Sequence, residues 1–65
     1  MANANFKLRI YFKSGFQKGN LRKEEFFDTK AAMQQRYREL YNPKEYALNP
    51  TAYERVDNQW LRVFN

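Results

Sequence analysis

Cations and aromatic residues recur at every second position near both ends of this sequence, and they are its clearest candidates for chemistry. Lys and Arg neutralise anionic groups, while Tyr and Trp rings stack on nucleic-acid bases or supply binding energy at protein interfaces. If one sheet face presents them all, that face can bind an anionic partner. The candidate surface residues are Lys7, Arg9, Tyr11, Lys13, Tyr53, Arg55, Trp60 and Arg62.

Residues suited to catalysis are scarce by comparison. The chain has no histidine, the usual general base, and no cysteine, the most reactive nucleophile. Glu24 and Glu25 are adjacent, so on a strand they point to opposite faces and cannot act as a pair. The hydroxyls of Ser14, Thr29 and Thr51 have no obvious base nearby in the sequence. We therefore expect no enzyme, the catalytic alternative being a metal-free ribonuclease that uses Arg, Lys and Tyr.

The same composition argues against bound cofactors and metals. Without Cys or His, disulfides and most transition-metal sites cannot form, and no phosphate loop, dinucleotide fingerprint or EF-hand spacing occurs. No apolar run approaches the ~20 residues of a membrane span, and the N-terminus lacks the apolar run of a signal peptide. The expectation is a cytoplasmic protein with no cofactor, no metal and no membrane span.

Length and charge limit the fold and the partners further. The 65 residues are expected to form one domain, spanning residues 1–65, whose small core depends on 6 Phe, 5 Tyr and 1 Trp. The net charge is +5, from 12 Lys and Arg against 7 Asp and Glu. This excess favours an anionic partner such as nucleic acid, an acidic protein or an anionic membrane face.

The first part of the chain predicts a β-hairpin. Residues 6–13 alternate between apolar and polar side chains, which is the period of a half-buried strand. The apolar positions of this run are Phe6, Leu8, Ile10 and Phe12. Both glycines lie in residues 14–20, which predicts the hairpin loop. Residues 21–27 then return as an edge strand, although their charged middle would also suit a helix.

The middle of the chain predicts an amphipathic helix over residues 30–41. Asp28 or Thr29 serves as N-cap, since either side chain can accept a hydrogen bond from the first turn. Apolar side chains at helical spacing form one stripe. The stripe consists of Met33, Tyr37, Leu40 and Tyr41. The Asn-Pro pair that follows ends the helix, and we expect Tyr46 and Leu48 in the next loop or short helical turn to lie over the core.

The C-terminal residues predict a second hairpin. Asp57-Asn58 separates two strand-like runs, residues 53–56 and 59–64, and both turn residues tolerate the positive φ of a type I′ turn. A two-residue turn places Tyr53, Arg55, Trp60, Arg62 and Phe64 on one face and Ala52, Val56, Leu61 and Val63 on the other. A three-residue turn instead places Glu54 opposite Arg62, and the sequence leaves this register open.

The order strand, strand, helix, strand, strand predicts an α+β domain, an antiparallel sheet with one helix packed on one face. The other face then carries the candidate surface. One hypothesis is a small non-enzymatic interaction module that binds a protein partner through this surface, or self-associates as a homodimer. The alternative is a nucleic-acid-binding protein that uses the sheet face. The third interpretation is a sheet face that is merely solvated.

Overall fold

A computed structural model describes residues 4–63 of the protein. They form four strands, one α-helix and a 3₁₀ helix: β1 (Phe6–Tyr11), β2 (Leu21–Phe27), α1 (Lys30–Leu40), the 3₁₀ helix (Pro43–Leu48), β3 (Thr51–Val56) and β4 (Gln59–Val63). All pairings are antiparallel, and the sheet order is β2-β1-β3-β4, so that β2 and β4 are its edges. The α+β fold and its order of elements, predicted from the sequence, are confirmed.

The core lies between α1 and one side of the sheet, which we call the helix face. Its buried apolar side chains are Leu8, Ile10, Met33 and Ala52, with Phe6, Phe27, Tyr37, Leu40 and Val63 packed around them. The alternation in β1 thus places Leu8 and Ile10 inside, as predicted. Burying one such side chain contributes about 1.5–3 kcal/mol, so these few residues supply much of the stability of a small domain.

Helix α1 begins and ends where its sequence predicts. The Thr29 hydroxyl accepts a hydrogen bond from the Ala32 amide at 3.2 Å, and Tyr41 is the C-cap. The extensive contacts of α1 are with β1 and β2. The helix therefore covers one half of its face and leaves the far end of the β3–β4 hairpin more open, with Val56 and Leu61 exposed.

An ion-pair network joins α1 to the edge strand β2 on the helix face. Arg36 donates to both carboxylate oxygens of Glu25, at 2.8 and 3.2 Å, and Lys23 lies 2.9 Å from the same carboxylate. A bidentate pair of this kind adds directional specificity to the charge attraction. The hydrogen bond from Arg36, reinforced by Lys23, lowers the pKa of Glu25 from 4.5 to about 2 against the opposing effect of burial.

The segment between α1 and β3 differs in one respect from its prediction. Leu48 is half-buried, but the expectation that Tyr46 covers the core is wrong, because its side chain is 62% exposed. Asn49 is buried instead, and its amide donates to the Asn42 carbonyl and accepts from the Asn42 amide N–H. These two hydrogen bonds satisfy the buried Asn49 side chain, whereas the Tyr46 side chain is exposed to solvent.

The C-terminal hairpin has the two-residue turn. Asp57 and Asn58 have φ values of 52° and 65°, the conformation that a type I′ turn requires. Val56 pairs with Gln59, and the next pair is Arg55 with Trp60. The register that the sequence left open is therefore the one that places Arg55 and Trp60 on the same face. Phe64 lies outside the described residues.

Candidate binding surface

The sheet face opposite α1, which we call the open face, carries most of the predicted surface residues. Directly opposed residues of paired strands point to the same side. Lys7 lies between Phe26 of β2 and Tyr53 of β3, and Tyr53 in turn pairs with Arg62. By this register, the open face consists of Lys7, Arg9, Tyr11, Leu21, Glu24, Phe26, Thr51, Tyr53, Arg55, Trp60 and Arg62. It combines four cations and four aromatic rings with a single carboxylate.

Several side chains of the open face converge on the ring of Trp60, which belongs to the edge strand β4. The Lys7 Nζ lies 4.6 Å from the Trp60 ring centroid, and the Arg55 guanidinium carbon lies 5.7 Å from it. The Phe26 ring packs against Trp60 at 6.2 Å between centroids, tilted by 54°. Cation–π contacts contribute about 0.5–1 kcal/mol at exposed sites and more when desolvated. The tryptophan is thus held in place, half-buried, by side chains from three other strands.

Glu24 forms ion pairs with Lys7 and Arg9 on the open face. Its carboxylate accepts a hydrogen bond from Lys7 at 3.1 Å and lies 3.4 Å from Arg9 Nε. The Lys7 side chain is only 13% exposed, so its charge depends on Glu24 and on the Trp60 and Tyr53 rings for compensation. The Arg9 contact is electrostatic only, because its buried Nε has no hydrogen-bond acceptor.

The two ends of the open face differ. Near the end of β1, the Tyr11 hydroxyl is 3.1 Å from the Thr51 hydroxyl, so this polar pair closes one end. At the β4 edge, Arg62 is exposed and also lines a cavity of about 100 Å³ with Tyr37 and Tyr46. Burial raises the pKa of Tyr37, and the nearby Arg62 charge opposes that rise. Arg62 therefore belongs to the sheet edge as much as to the open face.

Lys13 does not join the open face, contrary to the prediction. Its Nζ donates to the Leu40 carbonyl at 3.1 Å, at the C-terminal end of α1. The cause is local: β1 ends at Tyr11, two residues before Lys13, so the strand alternation on which the prediction depended does not extend to Lys13. A cation at a helix C-terminus is favourable, since it binds carbonyls that lack helical partners.

Four residues of the open face were missed by the sequence analysis: Leu21, Glu24, Phe26 and Thr51. Phe26 is 55% exposed and is the neighbour of Trp60, and Glu24 binds the two cations of β1. Once residues 21–27 are a strand with Phe27 facing the core, the alternation assigns both to the open face. The same alternation separates Glu24 from Glu25, confirming that the two carboxylates cannot act as a pair.

A cleft of about 440 Å³ opens at the end of the sheet near Leu40 and Leu48. Ligand pockets reach this size. The polar side chains that line it are Tyr11, Lys13, Ser14 and Arg22. None of its lining residues is a carboxylate. Within residues 4–63 there is also no cluster of side chains that could hold a metal ion.

No protein-family model matches the chain, and comparison with curated proteins and with solved structures finds no match. Across the described residues, no helix combines the length and the apolar character needed to cross a membrane. The function is therefore inferred from the residues of the open face.

Proposed function

We propose that the protein is a non-enzymatic binding module whose open face contacts an acidic protein segment bearing apolar or aromatic side chains. The observation that carries this proposal is the position of Trp60. The single tryptophan of the chain lies outside the core, against Phe26, with two cations beside its ring. Trp, Tyr and Arg are the residue types that dominate binding energy at protein interfaces.

The physical case has two parts, one apolar and one electrostatic. Phe26 and Trp60 form an apolar island that a partner side chain can cover at little entropic cost, because Trp60 is already held by its neighbours. Arg55 and Arg62 border this island, and Glu24 is the only carboxylate that the described register assigns to the face. An acidic segment gains charge attraction at the rim while its apolar side chains displace water from the rings.

Single-stranded nucleic acid is the second candidate, favoured by the rings of Tyr53 and Trp60 beside Arg55. Bases stack on such rings while cations neutralise phosphates. Two features rank it second: Glu24 is already paired with Lys7 and Arg9 and offsets part of their charge, and the Lys7 ammonium lies against the Trp60 ring that a base would need. Fewer cations and less ring surface are then free for a nucleotide chain.

Binding of two labelled probes, followed by fluorescence anisotropy, distinguishes these candidates. The probes are a copolymer of glutamate and tyrosine and an oligothymidylate, each titrated from about 50 to about 200 mM salt. We expect the copolymer to bind, and Trp60→Ala to weaken that binding about 30-fold, the loss typical of a central interface tryptophan. Steeply salt-dependent binding of the oligothymidylate alone would favour nucleic acid.

The matched control is Phe16→Ala. Phe16 is 96% exposed in the β1–β2 loop, away from the open face, so removing it tests whether any exposed ring suffices. We expect its affinity for the copolymer to equal that of the wild type. Equal losses in both variants, or no copolymer binding at low salt, would contradict the proposal.

A further inference from the structure

The two edge strands of the sheet are protected to very different degrees. Edge strands resist pairing with another chain when they carry charges. Strand β2 has four charged residues in a row, Arg22 to Glu25. Strand β4 has the sequence Gln-Trp-Leu-Arg-Val, with one charge. Among residues 4–63 its only extensive contact is with β3, so these residues leave its outer edge uncovered, and three of its five side chains are apolar.

The hydrogen-bonding groups on this outer edge follow from the β3–β4 register. Bonded and non-bonded pairs alternate along an antiparallel ladder. The Arg55 amide donates to the Asn5 carbonyl at 2.7 Å, on the side of β1, so the Arg55–Trp60 pair is a non-bonded one. The peptide groups of Trp60, and by alternation those of Arg62, therefore point away from β3 toward the free edge.

We infer that β4 pairs antiparallel with β4 of a second copy, about a two-fold axis at Leu61. In this register Trp60 lies opposite Arg62 of the partner subunit, and Arg62 opposite the partner's Trp60. Both residues have their peptide groups on the free edge, so each pair exchanges two hydrogen bonds. Each also places a guanidinium beside an indole on the open side of the sheet, the preferred cation–π combination.

Other antiparallel registers that use the same peptide groups are worse. A shift in one direction places Arg62 opposite the partner's Arg62, and directly opposed like charges destabilise a sheet. A shift in the other direction pairs Trp60 with the partner's Trp60, and Arg62 then faces the turn residue Asn58, which ends the ladder. The Leu61 register is the one that satisfies both peptide groups of both copies without opposing like charges.

The side chains on the helix face also favour a two-fold axis at Leu61. Leu61 is 48% exposed there, because α1 packs mainly on β1 and β2. On the two-fold axis it meets Leu61 of the partner subunit in a non-bonded pair, where side chains approach most closely. The result is a continuous eight-stranded sheet whose two open faces lie side by side. The inference concerns the edge of the sheet and does not depend on the proposed function.

Cysteine cross-linking tests the axis directly, because the chain has no cysteine of its own. Opposed residues of a non-bonded pair have Cα atoms about 4.5 Å apart, within the range that a disulfide spans. We expect Leu61→Cys to form a disulfide-linked dimer in a glutathione redox buffer. The control is Val56→Cys, on the same face and 41% exposed, but at the far end of the hairpin, where we expect no cross-link. Equal cross-linking at both positions would overturn the inference.

Sedimentation of the unmodified chain gives a second, independent test. We expect the wild type to dimerise with rising concentration, and more readily at high salt, because each copy has a net charge of +5. Arg62→Pro removes an outward N–H and no bond to β3, a position where an edge strand tolerates proline. That variant should keep its circular dichroism spectrum and remain a monomer. A wild type that is monomeric at every concentration and salt would also overturn the inference.

The dependence on salt concentration distinguishes self-association from the proposed binding of an acidic segment. Self-association strengthens with salt, whereas binding of an acidic segment weakens. A dimer without copolymer binding would leave the edge inference standing and remove the proposed function, and the reverse result would do the opposite.

Discussion

Glu24 and Glu25 are neighbours in β2, and each binds two cations, but on opposite faces of the sheet. Glu25 accepts two hydrogen bonds from Arg36 of α1 and so attaches the helix to the sheet. Glu24 holds Lys7 and Arg9 beneath the rings of the open face. The comparison shows that the same residue type supports the fold on one side and shapes a surface on the other.

The two faces also differ in what covers them. On the helix face, Leu8 and Met33 are fully buried under α1. On the open face, half-buried side chains contact one another, and Phe26 remains exposed beside Trp60. The described residues leave this face uncovered, as the proposed function requires. Substitutions on the helix face should therefore change stability, and those on the open face should change binding.

The largest expected effect is on the helix face. Leu8→Ala should lower the free energy of unfolding by about 2–5 kcal/mol, because it leaves a cavity in a core of few residues. Native proteins have total stabilities of about 5–15 kcal/mol, so this one substitution should remove a large fraction of the stability. Urea denaturation measures the change. The control is Leu61→Ala at low protein concentration, where the exposed leucine should cost about 0.5 kcal/mol or less. Equal losses would mean that the core is misplaced.

The second effect is the acid sensitivity that Glu25 gives the fold. Its pKa is lowered from 4.5 to about 2 in the folded protein, chiefly by the Arg36 hydrogen bonds. A lowered folded-state pKa stabilises the protein above the unfolded value, and this contribution is lost as the pH falls from about 4.5 toward about 2. After allowance for solvent screening, we expect about 1–2 kcal/mol.

Glu25→Gln should remove this part of the acid dependence. Its unfolding free energy at neutral pH should be lower than that of the wild type, and the two curves should converge toward pH 2. Denaturation at a series of pH values checks this. Parallel curves would show that the Arg36–Glu25 pair does not support the fold.

The smallest effect is on the open face. Glu24→Gln leaves Lys7 and Arg9 without their carboxylate, so affinity for the glutamate-tyrosine copolymer should rise a few-fold, equivalent to about 1 kcal/mol or less. Glu54→Gln is the matched control, because Glu54 pairs with Phe6 and Leu61 and so belongs to the helix face. Both variants change the net charge equally. An equal gain in both would show that total charge, and not the open face, controls binding.

The sequence predicts the parts of this fold that local patterns determine. The alternation in β1 is confirmed over Phe6–Tyr11. Thr29 is one of the two caps that the sequence allowed, and the two-residue Asp57-Asn58 turn is one of the two lengths that it left open. The face shared by Tyr53, Arg55 and Trp60 follows from that turn once its length is known.

Features that depend on tertiary contacts could not be predicted from the sequence. β1 ends at Tyr11, and Lys13 beyond it binds the end of α1, although Phe12 and Lys13 continue the alternating pattern in the sequence. Phe26 was missed because a run of charged residues suits a helix as well as a strand, so its face was undetermined. Asn49, rather than Tyr46, is buried, and its side chain hydrogen-bonds to the backbone of Asn42, a contact between residues seven positions apart that no local pattern predicts.

The most direct test of the central claim is nuclear magnetic resonance of the side-chain N–H groups during titration with the glutamate-tyrosine copolymer. The chain has one tryptophan, so the Trp60 indole signal reports on the open face alone. Arg55 reports on the same side of the sheet, while Arg36 and Arg38 report on α1. We expect the signals of Trp60 and Arg55 to shift together while those of α1 stay in place. Shifts confined to Arg36 and Arg38 would contradict the account.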